Sequence, residues 1–177
     1  NGTLKENDIL TAQFDVVRRN RIKRNHTATH ILHWALRLVV GDHVKQAGSY
    51  VDDQRLRFDF QHFEQLSKEE LSEIERLANE QLISGVNVTH IEMPIEEAKK
   101  LGAIAFFGDK YGEKVRVLTA GPSIEFCGGT HVDNLGFIGS IRIVSEGSIG
   151  SNIRRIEALT GDRAYQSYVE DQNKLKS

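Results

Sequence analysis

Apolar residues recur along this chain with two different periods, and the switches between them mark out its elements. From His26 to Val40, Ala28, Leu32, Ala35, Leu36 and Val39 fall on one stripe at about 100° per residue, which predicts an amphipathic helix. Asn25 is the expected N-cap and Gly41 the expected stop. Leu56, Phe58 and Phe60 alternate with Arg55, Arg57 and Asp59, the period of a half-buried strand. Together with Gly48-Ser49-Tyr50-Val51 across Asp52-Asp53-Gln54, they predict a hairpin. Ser67-Lys68-Glu69-Glu70 forms a capping box opening a second helix, with Leu71, Ile74, Leu77, Ala78 and Leu82 inward. Val86 to Met93 reads as a strand ended by Pro94, followed by a short helix to about Leu101. Val115 to Leu118, Phe137 to Val144 and Ile153 to Leu159 are further expected strands, and a helix begins near Asp162. Ile9 to Phe14 is strand-like as well. The order predicts an α+β domain, a mostly antiparallel sheet packed with helices.

Composition narrows the class. With 177 residues, 39% of them hydrophobic, the chain can bury the core of one domain with a short appended piece. No run of 18 apolar residues and no signal-peptide pattern occurs, so a soluble, cytoplasmic protein without membrane partners is expected. The single cysteine excludes an internal disulfide and fits a reducing compartment. A net charge of −2 argues against nucleic-acid binding by the surface as a whole. Basic residues nevertheless cluster at Arg18, Arg19, Arg21, Lys23 and Arg24, at Arg154-Arg155, and at Arg55 and Arg57. Such runs are either solvated faces or phosphate contacts, and the proximity of the first cluster to His26 favours phosphate.

The chemistry concentrates in two short segments. His26 and His30 are four residues apart, so a helix stacks them on one face, roughly opposite the apolar stripe. Cys127, the only cysteine, is followed by Gly128-Gly129 and then by His131. Taken singly, the histidine pair reads as ordinary surface chemistry and the cysteine as a small hydrophobe. Taken together, three imidazoles and a thiolate form a borderline-soft donor set suited to Zn²⁺ in a cleft. The glycines allow the backbone a close approach. His33 shares the face of the pair, and a non-ligand role is favoured. Peptidase chemistry of the His-Glu-x-x-His type is disfavoured, because Thr27, Ala28 and Thr29 lie between the histidines.

Several motifs in order carry a family resemblance: Arg19 to Leu32 (RNRIKRNHTATHIL), Gln46-Ala47-Gly48-Ser49, Leu56-Arg57-Phe58-Asp59, Cys127 to His131, and Arg154-Arg155-Ile156-Glu157-Ala158. They resemble the editing domain of alanyl-tRNA synthetase, whose core also occurs in freestanding alanyl-tRNA editing proteins and, more distantly, in threonyl-tRNA synthetase. The resemblance runs from about Asp15 onward. It implies residues 18–177 as a tRNA-editing domain, with 1–17 as the last strands of a preceding barrel. The chain would then be a fragment, with the remainder of the synthetase in cis. The implied activity is zinc-dependent hydrolysis of Ser-tRNA(Ala) and Gly-tRNA(Ala), with His26, His30, Cys127 and His131 holding Zn²⁺. Gln46 is the implied positioner of substrate or water, or else a turn-closing amide. Thr27, Thr29 and Thr130 offer hydroxyls to the serine side chain, or else to helix carbonyls. Arg18, Arg19, Arg24 and Arg155 are the implied tRNA contacts; for Arg155 a cross-strand ion pair competes. Leu135 and Phe137 depart from the family's more polar loop. A threonyl-type editing domain, a zinc-containing tRNA-binding module without chemistry, and a zinc hydrolase of small amides are the alternatives.

Overall fold

The computed structural model describes residues 2–105 and 111–176. Its elements are α1 (Val16–Val40), β1 (Gln46–Val51), β2 (Leu56–Gln61), α2 (Lys68–Ile83), β3 (Val88–Pro94), α3 (Ile95–Lys100), β4 (Lys114–Ala120), β5 (Ser123–Phe126), β6 (Ile141–Gly150), β7 (Ile153–Thr160) and α4 (Gly161–Lys176), with a 3₁₀ turn at Leu135–Ile138. The strands form two antiparallel sheets, a four-stranded one in the order β1-β2-β7-β6 and a three-stranded one in the order β3-β4-β5. The fold is therefore α+β, as the patterning predicts.

The larger sheet supports the main core. Leu56, Phe58 and Phe60 of β2 are fully buried with Ile156 and Ala158 of β7, and they meet Ala28, Ile31, Leu32, Ala35 and Leu36 of α1. Helix α2 adds Ile74, Ala78 and Leu82 to the same core, and its predicted capping box is formed by Ser67 and Glu70. The smaller sheet has a separate minor core of Ala98, Val115, Val117 and Phe126. Helix α1 touches both sheets, so its faces serve two purposes. The stripe faces the larger sheet, while the histidine side meets β5.

Four expectations are corrected. Helix α1 begins at Val16, capped by Asp15, whose Oδ1 accepts from the Arg18 amide at 2.9 Å. The basic run 18–24 contains strong helix formers, so propensity extends the helix beyond its apolar stripe. Asn25 is therefore no cap. It lies buried inside the helix, where Nδ2 donates to the Asp52 carbonyl at 2.8 Å and Oδ1 accepts from Thr160 Oγ1 at 2.7 Å. Ile9 to Phe14 pairs with no strand among the described residues, and Ile9 is 99% exposed, since a lone extended segment has nothing to satisfy its backbone. Phe137 and Ile138 belong to the 3₁₀ turn, because Asn134 Oδ1 accepts from the Gly136 amide and starts a tight turn there. Strand β5, absent from the expectations, is four residues long and pairs with β4 across the Gly121-Pro122 turn.

Candidate metal centre

Helix α1 presents His26 and His30 one turn apart, with ring centroids 5.4 Å from each other. The segment leaving β5 is pinned across this face at three points. The Cys127 amide donates to the Arg116 carbonyl at 3.0 Å, Arg116 Nη1 donates to the Gly129 carbonyl at 2.5 Å, and the Val132 amide donates to Thr27 Oγ1 at 3.1 Å. This brings Cys127 and His131 against the helical pair. One ligand atom from each of His26, His30, Cys127 and His131 lies within 4.8 Å of all the others. Only one of the two glycines is needed for contact. A Cβ on Gly129 would lie 2.1 Å from His26 Cε1, whereas one on Gly128 would meet nothing within 4 Å.

The spacing fits a metal ion. Zn–N and Zn–S bonds in a tetrahedron imply N···S edges of about 3.6 Å. Cys127 Sγ lies 3.3 Å from His131 Nε2 and 3.5 Å from His26 Nε2. The outer atoms of two imidazoles are tied in turn. Thr27 Oγ1 donates to the Lys23 carbonyl at 2.9 Å, which leaves only its lone pairs for the Val132 amide and for His131 Nδ1 at 3.3 Å. His131 Nδ1 must therefore carry the proton, and Nε2 points at the thiol as an unprotonated donor. His30 Nδ1 bonds Glu125 Oε2, and His33 Nδ1 bonds Glu125 Oε1 at 2.7 Å.

Without a metal, the electrostatics hold Cys127 and His131 in ligand-competent states and keep His30 protonated. Burial would push the Cys127 thiol up, but its close contacts with the imidazoles of His131, His26 and His30 outweigh it and bring it to about 3. Burial and the neighbouring imidazoles lower His131 to about 4 against the pull of Cys127. At neutral pH the cluster thus offers a thiolate and a neutral imidazole, the forms metals bind. Burial also opposes charge on His30 and on Glu125, yet each is held charged by the other, His30 raised by Cys127 and Glu125 and Glu125 lowered by His30 and His33.

The remaining expected site residues are less tightly gathered. Gln46 begins β1 opposite Phe60, beside a bulge at Gln46/Gly48. Thr29 is buried and its hydroxyl donates to the Asn25 carbonyl at 2.9 Å; Thr130 is exposed. The basic cluster is neither a bare solvated face nor an open phosphate patch, because much of it is paired within the chain. Arg21 and Arg24 reach Asp162 at 2.6 and 3.3 Å, and Arg18 lies 3.5 Å from Asp53. Arg19 lies over the Phe14 ring at 4.7 Å. Arg155 forms the competing cross-strand pair, its Nε and Nη2 donating to Asp59 at 2.7 and 2.8 Å. Lys23 and Arg24 nevertheless line a cleft of about 360 Å³ with Asn20, Val132, Asp133 and Phe137, directly after His131. Leu135, one of the two departures in that loop, fills the core, and Phe137 lines the cleft. Sequence reasoning missed Glu125. An acid two residues before Cys127, on the inward phase of a short strand, was the available signal.

Residues 115–157, which contain Cys127 and His131, match the family described as Threonyl and Alanyl tRNA synthetase second additional domain. Over nearly its whole length the chain is similar to alanine–tRNA ligases, as its motifs imply. It is 53% identical over 176 residues to that of Listeria innocua, 52% over 177 residues to that of Fusobacterium nucleatum, and 53% over 165 residues to that of Staphylococcus saprophyticus. These alignments cover 99, 99 and 93% of this chain, but only 20, 20 and 19% of the relatives, so the chain spans about a fifth of their length. Among the described residues, no helix is long and apolar enough to cross a membrane.

Proposed function

We propose that this chain is the editing part of an alanine–tRNA ligase, hydrolysing the ester of tRNA(Ala) wrongly charged with serine or glycine. The observation carrying this reading is the convergence of His26, His30, Cys127 and His131 within 4.8 Å, in a chain similar throughout to alanine–tRNA ligases. The need for such an activity is physical. A pocket built for alanine cannot exclude glycine by size, and it rejects an added hydroxyl weakly, since one methylene is worth about 1–3 kcal/mol. A second sieve closes the gap.

The four residues would hold Zn²⁺, and zinc would supply a Lewis acid or an anchor for the substrate. The chain's own groups do the rest. The Thr29 hydroxyl donates its hydrogen bond to the Asn25 carbonyl, so its oxygen is left to accept from the hydroxyl of a serine substrate. Thr27 has no such capacity, being occupied by Lys23, Val132 and His131, and its role is to orient His131. Gln46 positions the substrate or the attacking water. An ester is already activated, so placing water and substrate accounts for much of the barrier reduction. Lys23 and Arg24 in the cleft after His131 are suited to the phosphates of the tRNA 3′ end, with Arg18 and Arg19 farther along α1. Arg155 would reach the nucleic acid only by leaving Asp59.

One observation favours a second reading. Four protein ligands complete a tetrahedral shell, which is the habit of structural zinc, so a tRNA-binding module without hydrolysis is the competing function. Deacylation of Ser-tRNA(Ala) and Gly-tRNA(Ala) separates the two. Wild type is expected to hydrolyse both, with Cys127→Ala slower by on the order of 100-fold. Equal rates for the two proteins would overturn the zinc-centred mechanism, and zinc binding with intact Ser-tRNA(Ala) would establish the second reading.

A further inference from the structure

Glu125 is a charged residue in a place that ordinarily takes an apolar one. It is 1% exposed, on β5 between the minor core and α1. Burying a carboxylate is costly unless both oxygens are satisfied, so its partners deserve an accounting. They are two histidines of α1, three residues apart: Oε2 accepts from His30 Nδ1 and Oε1 from His33 Nδ1. An ionised carboxylate only accepts, so both imidazoles must carry a proton on Nδ1. For His30 this turns Nε2 toward Cys127 and His131, whose ring centroid is 5.2 Å away. His33 is not among the four converging ligands; its ring packs against Phe58 at 5.3 Å. A ligand histidine tied to a carboxylate through its outer nitrogen is fixed in tautomer and ring plane. A carboxylate tied at one oxygen could still rotate.

We infer that Glu125 is the positioning residue of the metal centre, holding His30 so that Nε2 meets the cation, and that His33 holds Glu125 in turn. The inference rests on the reading of the four-residue cluster as a metal site. It assigns separate jobs to the two histidines, His30 as ligand and His33 as a brace for the carboxylate. It also explains why the small sheet approaches α1 at this point, since Glu125 lies in β5 and Cys127 follows directly after its end.

The test is zinc affinity of the 177-residue chain by chelator competition, with Co²⁺ absorption and melting temperature with and without metal as companion readouts. Glu125→Gln is expected to weaken Zn²⁺ binding by about 10–100-fold. It should also shift the Co²⁺ d–d bands and shrink the metal-induced rise in melting temperature. His33→Phe, which preserves the contact with Phe58, is expected to weaken binding by roughly 3–10-fold, and Glu125→Asp to recover part of the loss. Wild-type affinity and spectrum in both Glu125→Gln and His33→Phe would overturn the inference while leaving the metal reading intact. So would lower metal-free melting temperatures with unchanged affinity, the mark of a purely structural role. Should Glu125→Gln fail to fold, His33→Phe decides by the same criterion. A wild-type chain that takes up no zinc overturns both this inference and the proposed function.

Discussion

The two sheets are held in different ways. The four-stranded sheet lies under a continuous core in which Leu56, Phe58, Phe60, Ile156 and Ala158 meet two helices. The three-stranded sheet shares a minor core of Ala98, Val115, Val117 and Phe126 with α3, and only Leu118 and Ala120 of β4 are fully buried in the main core. Polar attachment to α1 adds to this smaller apolar contribution, through Glu125 on His30 and His33, Thr27 on the Val132 amide, and the cluster of Cys127 and His131 with the helical pair. One region is stabilised by packing that no ligand can alter. The other is joined to it by two side chains of β4 and by the candidate metal centre. Metal and substrate are therefore expected to act on the small sheet first, with the large sheet as the fixed frame.

The sharpest way to break this contrast is to attack the frame. Phe58→Ala is expected to destabilise the whole chain by about 3–5 kcal/mol in denaturant unfolding, since the ring is fully buried and a cavity would remain. Removing the metal should act locally. A cation at 100 times its dissociation constant stabilises the bound state by about 2.7 kcal/mol, and stripping it with a chelator withdraws that amount. Hydrogen exchange should then rise in β4, β5 and 127–132 while β2, β7 and α2 stay protected. Uniform loss of protection would contradict the division. Gly129→Ala should leave the frame's melting temperature near that of wild type while weakening zinc binding by at least about 10-fold, because the added methyl collides with the His26 ring.

The smallest expected effect lies on α2, far from the seam. The Ser67 amide and hydroxyl hold the Glu70 carboxyl below its ordinary range, so the folded state binds this proton less readily than the unfolded chain. The stabilisation is present above the unfolded carboxylate pKa and fades as pH falls through the lower folded value. Glu70→Gln should therefore flatten the acid limb of the stability curve slightly and leave zinc affinity unchanged.

Legibility in the sequence followed local pattern and not the division between the sheets. Elements of the large sheet could be read because their side chains answer to one periodic demand: Leu56, Phe58 and Phe60 alternate, and Ser67 and Glu70 announce α2. The grouping of His26, His30, Cys127 and His131 was legible too, because their residue types are rare and their spacing repeats. Failures came where tertiary partners override local pattern. Asn25 resembles a cap but serves Asp52 and Thr160 inside a longer helix. Glu125 was missed for the opposite reason. Its significance lies in two histidines more than ninety positions away, which no local window contains.

X-ray absorption at the zinc edge on the purified chain tests the central claim most directly. The account predicts one bound zinc per chain with a single sulfur at about 2.3 Å and three nitrogens at about 2.0–2.1 Å, the sulfur lost in Cys127→Ala. A chain that retains no zinc, or a zinc shell without sulfur in wild type, would contradict it.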